Sequence, residues 1–126
     1  MLRACRKLLR PRGRTAFLTI VVAPGLSKSD HRIAVRRGPR SVRTTRPVDV
    51  LMGAAGFVDI EVNDLTDDFL HVAQAWQREF ATHEQALRPI LGDEWDERQS
   101  DRRGMIAAVE RGWLRRILVT GAVPGG

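Results

Sequence analysis

At 126 residues, with 43% hydrophobic and 29% charged side chains, the chain has the size and composition of one modest globular domain, not of a disordered or fibrous polymer. No apolar run approaches the roughly 20 residues that a membrane helix needs. The net charge of +6 is unevenly spread: residues 1–46 hold 13 Lys or Arg against the single acid Asp30, and residues 47–126 hold 8 against 14 acids.

Leu2, Cys5, Leu8 and Leu9 fall on one face of a helix, with Arg3, Arg6, Lys7 and Arg10 on the other. Pro11 stops this helix at Arg10. A strand over 15–22 follows, and its nearly continuous apolar run from Ala16 to Val22 is the pattern of a strand covered on both faces. Pro24-Gly25 ends it. Ser27 caps a short helix to about Arg37, with Asp30 in its first turn. Gly38-Pro39 breaks that helix, and Arg40–Arg46 reads as an irregular basic loop. Thr45 caps a second short helix, Pro47–Ala55, which Gly56 terminates.

Residues 57–65 alternate, with Val58, Ile60 and Val62 set against Asp59, Glu61 and Asn63, as in a strand with one wet face. Thr66-Asp67-Asp68 caps a long helix. Phe69, Ala73, Trp76, Phe80, Leu87 and Leu91 form its stripe, Glu84 interrupts that stripe, and Pro89 kinks or ends the helix. Gly92–Ser100 reads as a polar connection carrying Trp95. Asp101–Arg111 is a further helix with Met105, Ile106 and Val109 inward, and 114–122 is the final strand before a loose tail, 124–126.

The basic half admits several partners: nucleic acid, anionic lipid or an acidic neighbouring protein. No aromatic residue interleaves with the Arg run before Phe17, so an Arg-rich nucleic-acid binder ranks third among the functional readings. Met1–Arg14 has the composition of a transit peptide and Ala16–Ala23 that of a short signal core. Pro11-Arg12-Gly13 is a turn signal and the following residues are strand formers, which favours structure over targeting. Cys5, as the single cysteine, permits no disulfide within one chain and points to a reducing, cytoplasmic setting.

Two stretches in the right order carry a family resemblance. Leu8-Leu9-Arg10-Pro11-Arg12-Gly13-Arg14 resembles the Leu-(Lys/Arg)-Pro-Gly-Gly turn that leads into the fifth strand of class I S-adenosylmethionine-dependent methyltransferases. Ala54-Ala55-Gly56-Phe57-Val58-Asp59-Ile60-Glu61-Val62 resembles the Ala-Gly-Phe approach to their sixth strand. The resemblance implies an α/β fold: the C-terminal part of a Rossmann-like sheet, with three strands in the order 1-3-2, the last antiparallel, and about five helices. It also implies a single partial domain over 1–126, in which 1–66 are late helix–strand units, 67–112 a helical insertion or lid, and 113–123 the final strand. Arg12 departs from the family turn by replacing its first Gly. The family's cofactor site, a Gly-rich loop after the first strand and an acidic residue ending the second, lies outside this pattern. Gly53–Gly56 does not replace that loop, because it closes a helix and precedes a strand.

Candidate site residues follow from the resemblance. Trp76 and Phe80 would be flat walls for an apolar or aromatic methyl acceptor, with His31 and His83 near the rim. No residue is assigned a catalytic role and none a cofactor-binding role. No metal is expected: His71 and His83 lie about 120° apart around a helix, and Asp93, Glu94, Asp96 and Glu97 lack a Gly-centred calcium loop. Helix capping accounts for Asp67 and Asp68, and Cys5 on an apolar face reads as a buried thiol. The expected function is therefore that of a methyltransferase fragment, inactive alone, whose complete form acts on a small-molecule acceptor. The alternative is an interaction module, which forms a homodimer or joins a separate N-terminal half through strand 15–22.

Overall fold

The computed structural model describes residues 1–39, 42 and 46–125. The elements run α1 (Leu2–Leu8), β1 (Arg14–Val22), α2 (Lys28–Arg37), α3 (Val48–Ala54), β2 (Val58–Asp64), α4 (Thr66–Thr82), α5 (Glu84–Leu91), α6 (Glu94–Glu110) and β3 (Leu114–Ala122). The expected Thr45 cap and most of the expected Arg40–Arg46 loop lie outside the described residues.

The three strands form one sheet in the order β1-β3-β2, with the last strand central and antiparallel to both neighbours, as the sequence implied. β1 pairs with β3 along its whole length, from Arg14 opposite Ala122 to Val22 opposite Leu114. Helices cover both faces. Met52, Phe57, Ile117 and Val119 form one core with Leu2, Cys5 and Leu9 of α1 and the turn that follows it packed alongside. Ile20, Ala34, Ala108, Val109 and Leu114 form the other, beneath α2 and α6, with Phe69 and Leu70 of α4 at its margin. Met52, Leu114 and Val119 are wholly buried, and each contributes on the order of 1.5–3 kcal/mol by leaving water.

Turn chemistry fixes the joints between these layers. The Ser27 hydroxyl accepts the Asp30 amide at 3.1 Å and caps α2 as the sequence suggested. Gly56 takes φ +95 where α3 ends, and a Cβ there would meet Arg6 Nε at 2.6 Å. The Arg10–Gly13 turn closes with the Gly13 amide donating to the Arg10 carbonyl at 2.8 Å. Arg12, third in that turn, is driven to φ +63.

Several expectations are corrected. β1 is not covered on both faces throughout: Ala16 is exposed and Leu18 is 49% exposed. The α2–α6 layer reaches Ile20 and Val22 but stops short of Ala16 and Leu18. Leu8, expected on the apolar face of α1, is exposed at its end. β2 has more than one wet face. Val58 and Val62 are exposed, and only Ile60 joins the core, because this is an outer strand interrupted by a bulge at Asp59 (φ +51). The long helix breaks at His83, not at Pro89, which rides inside α5. At the break, the Thr82 hydroxyl donates to the Arg78 carbonyl, a local bond that competes with continued helix.

The largest correction concerns residues 94–100, expected to be a loop. They are the first two turns of α6, and Trp95 within them is 2% exposed. Glu94, Asp96 and Glu97 belong to the first turn of that helix, where carboxylates favour the positive end of the dipole.

Candidate functional site

Two clefts flank α4. The larger, about 730 Å³, lies between the start of α4 and the junction of α6 with β3, and Asp64, Thr66, Asp67, Glu110 and Arg115 line part of it. Asp64 organises this end. Its carboxylate accepts the Thr66 amide at 2.9 Å and the Thr66 hydroxyl, while that hydroxyl accepts the Arg116 amide at 3.1 Å. The Thr66 hydroxyl, then its amide, and more weakly the Arg115 charge hold the Asp64 carboxyl below its ordinary range. Asp67 and Asp68 are exposed in the first turn of α4, and neither caps it through its side chain.

The second cleft is a groove of about 420 Å³ between α4, α6 and the open part of β1, mostly apolar in lining. Leu18, Phe69, Val72, Ala73 and Trp76 make its walls, and Arg102 and Arg116 enter it from α6 and β3. The spacing of Phe69, Ala73 and Trp76 puts these side chains on one side of α4. Ala73 is buried, whereas Trp76 is 60% exposed. The small residue lets α6 approach while the indole stands at the opening.

Behind Trp76 runs a chain of rings and charges. Trp76 and Phe80 lie 5.9 Å apart between centroids, and Phe80 and Trp95 6.3 Å apart. The Arg102 guanidinium sits 3.9 Å above the Phe80 ring. Trp95 Nε1 donates to Glu84 at 3.1 Å, and Arg88 bridges Glu84 and Asp96. Arg88, then the Trp95 indole, draws the Glu84 carboxyl below its ordinary value.

Of the four residues singled out from the sequence, Trp76 lines the groove and Phe80 stacks behind it. His31 is exposed on α2, and His83 is exposed at the α4–α5 break, 3.3 Å from Glu79. Neither histidine lines the groove. Arg102 and Arg116 were missed, because each reads as one more arginine in a chain that has nineteen. The available signal was position: Trp95, Gln99, Arg102, Ile106 and Val109 fall at helical spacing on the inner side of α6. Among the described residues, no group of three or more His, Cys, Asp or Glu is placed to hold a metal ion. Among the described residues, no helix is long and apolar enough to cross a membrane. Cys5 is half-buried against the α1–α3 core.

No family model and no curated relative matches the sequence. Solved structures do match it. A putative sarcosine dimethylglycine methyltransferase from Galdieria sulphuraria superposes with a TM-score of 0.81 at 16% identity, over 99% of this chain and 47% of that one. Phosphoethanolamine N-methyltransferase 2 from Haemonchus contortus, solved with S-adenosyl-L-methionine, superposes with a TM-score of 0.75 at 15% identity. That match covers 98% of this chain and 29% of the other. The (4+2)-cyclase SpnF superposes with a TM-score of 0.68 at 16% identity, over 99% of this chain and 43% of its own length. This chain has the fold of part of a methyltransferase. It spans less than half the length of each of these neighbours, and the cyclase among them shows that the fold alone does not fix the reaction.

The neighbour that carries S-adenosyl-L-methionine raises the question of whether this chain could hold it. Pyrophosphate- and nucleoside-binding turns of Rossmann-type sheets need glycines where backbone meets ligand after a strand and before a helix. The two strand-to-helix connections described here are Ala23–Ser27 and the single residue Leu65. The first holds one glycine, Gly25, and a Cβ built on it meets nothing within 4 Å. Neither connection is a glycine-rich turn of that kind.

Proposed function

We propose that residues 1–126 form the acceptor side of a methyltransferase-type unit and act in methyl transfer only beside a separate cofactor-binding part. The observation that carries this reading is the fold: three strands with the last inserted antiparallel in the middle, superposing on part of an N-methyltransferase and of a putative sarcosine dimethylglycine methyltransferase. In a complete unit, the groove at Trp76 would seat the apolar or aromatic body of a small-molecule acceptor, with Phe80 bracing the indole. The protein's contribution would be orientation and exclusion of water. His31 and His83, at the surface, would contribute at most at a distance from the groove. Alone, the chain binds no S-adenosylmethionine and transfers no methyl group. Calorimetric titration of the purified chain with S-adenosylmethionine tests this, and tight saturable binding would refute it.

A second reading rests on β1. Among the described residues its only sheet partner is β3, so the backbone groups of its outer edge are free to pair with another chain. An antiparallel pairing of two copies centred on Leu18 would place each Arg14 opposite the partner's Val22 and keep the arginines apart. Light scattering coupled to gel filtration tests the homodimer; a stable monomer at high concentration rules it out.

A further inference from the structure

The groove beside Trp76 carries a charge feature that an apolar acceptor does not use. Two guanidiniums line it, and neither makes an ion pair with a carboxylate among the described residues. Arg102 donates instead to the Gln99 side-chain oxygen at 3.1 Å, a neutral partner that leaves the positive charge uncancelled. Gln99 is itself buried, and its amide nitrogen has no partner. Two other arginines, on α5 and α6, do pair with acid: Arg88 with Glu84 and Asp96, and Arg98 with Glu94. Asp68 stands exposed at the groove's lip and offsets one of the two charges, which leaves the groove net positive.

Both guanidiniums sit over aromatic rings: Arg102 lies 3.9 Å from the Phe80 ring centre and Arg116 4.8 Å from that of Phe69. A contact with a ring face leaves N–H groups of a guanidinium for a planar or tetrahedral anion. Burial, and then the Arg98 charge, push the Arg102 pKa below its ordinary value, so an anion arriving at this site would relieve an unbalanced charge. In about 420 Å³, within the range of small-molecule sites, an anion held by one guanidinium also feels the other.

From this geometry we infer that the groove is a binding site for a small amphiphile, an apolar chain or ring with a single anionic head group. The body lies against Leu18, Val72 and Trp76, and the head is held by Arg102 and Arg116. The site does not depend on the methyltransferase reading, because it needs no cofactor and every residue named for it lies in this chain.

Isothermal titration of the full chain with decanoate, decyl phosphate and decanol, each below its aggregation limit and with no S-adenosylmethionine present, tests the inference. One saturable site is expected for an anionic probe, with decanol weaker by roughly tenfold or more, about 1.4 kcal/mol. The tighter of decanoate and decyl phosphate identifies the head group as carboxylate or phosphate. R102Q/R116Q loses the preference for the anion but still binds decanol like the parent. W76A weakens all three probes. R3Q, which removes an exposed arginine of α1 outside the groove, changes nothing. Decanol binding as well as the anions, the double variant keeping the preference, or no saturable binding of any probe would each overturn the proposal. Far-UV circular dichroism on every variant separates loss of binding from loss of fold.

Discussion

Arg12 gives the sharpest test of how this backbone is held. It occupies the third position of the Arg10–Gly13 turn at φ +63, a region that type II turns reserve for glycine. The left-handed region costs a residue with a Cβ about 1–2 kcal/mol. Glycine at that position removes the cost but brings about 0.5–1 kcal/mol of extra freedom in the unfolded chain. Arg12→Gly is therefore expected to stabilise by about 0.5–1 kcal/mol. At the usual unfolding entropy per residue, this raises the melting temperature of a domain this size by about 2–4 °C. Arg12→Ala removes the charge and keeps the Cβ, so it should gain nothing, and Arg12→Asn, which tolerates this region better, should fall between. Differential scanning calorimetry at low and high salt decides the matter. If Arg12→Ala stabilises as much as Arg12→Gly, and salt erases both gains, the penalty is repulsion from Arg10 and Arg14 and the backbone argument fails.

Two further outcomes follow from the helical layer and the start of α4. Trp95→Ala should cost about 3–5 kcal/mol in urea unfolding. Trp95→Phe, which loses the bond to the half-exposed Glu84 and part of the ring volume, should cost about 1–2 kcal/mol; losses under about 1 kcal/mol for both variants would mean that residues 94–100 do not form the α6 seen here. Asp64 provides a pH signature. Its carboxyl is held below its ordinary value in the fold, so its stabilisation is present above the ordinary carboxylate range and fades as pH falls through the lowered folded value. Asp64→Asn, which still accepts from Thr66, should flatten the loss of melting temperature on acidification, and an unchanged acid limb in circular dichroism melts would contradict the role given to Thr66.

How far the sequence could be read depended on whether local chemistry or tertiary contact decided each element. The strands and the 1-3-2 order were legible because Pro11, Gly25, Gly56 and Gly112 punctuate the chain and two turns resemble known ones. Ser27 was legible because a cap acts within three residues. Residues 94–100 were not. Their inner positions are Trp95 and Gln99, and only the packing of α4 on α6 shows that a glutamine and an arginine can belong to an inward helix face. Pro89 misled for the opposite reason. A proline can sit inside a short helix, while the true break at His83 was marked by Glu84, the residue that interrupted the stripe. Trp76 and Phe80 stand out in the stripe of α4 and became candidates through the resemblance, but the arginines that charge the groove come from α6 and β3, and no periodicity links them to α4.

The same reasoning changes what the apolar run of β1 means. Ala16 to Val22 reads as a strand buried on both faces, yet Ala16 and Leu18 stand open on one of them. Composition reports what a face was selected to touch, whether or not the chain itself supplies the contact. Leu18 answers the question here, because it is a wall of the groove that Arg102 and Arg116 enter. A protein segment covering that face would satisfy Leu18 but, without carboxylates of its own, would bury two guanidiniums that have no carboxylate partner among the described residues, and burying an unpaired charge costs several kcal/mol. An anionic amphiphile satisfies both requirements at once. The exposed apolarity of β1 and the unpaired charge opposite it therefore point to one occupant, and the strand edge, whose requirement is backbone pairing alone, is a separate matter.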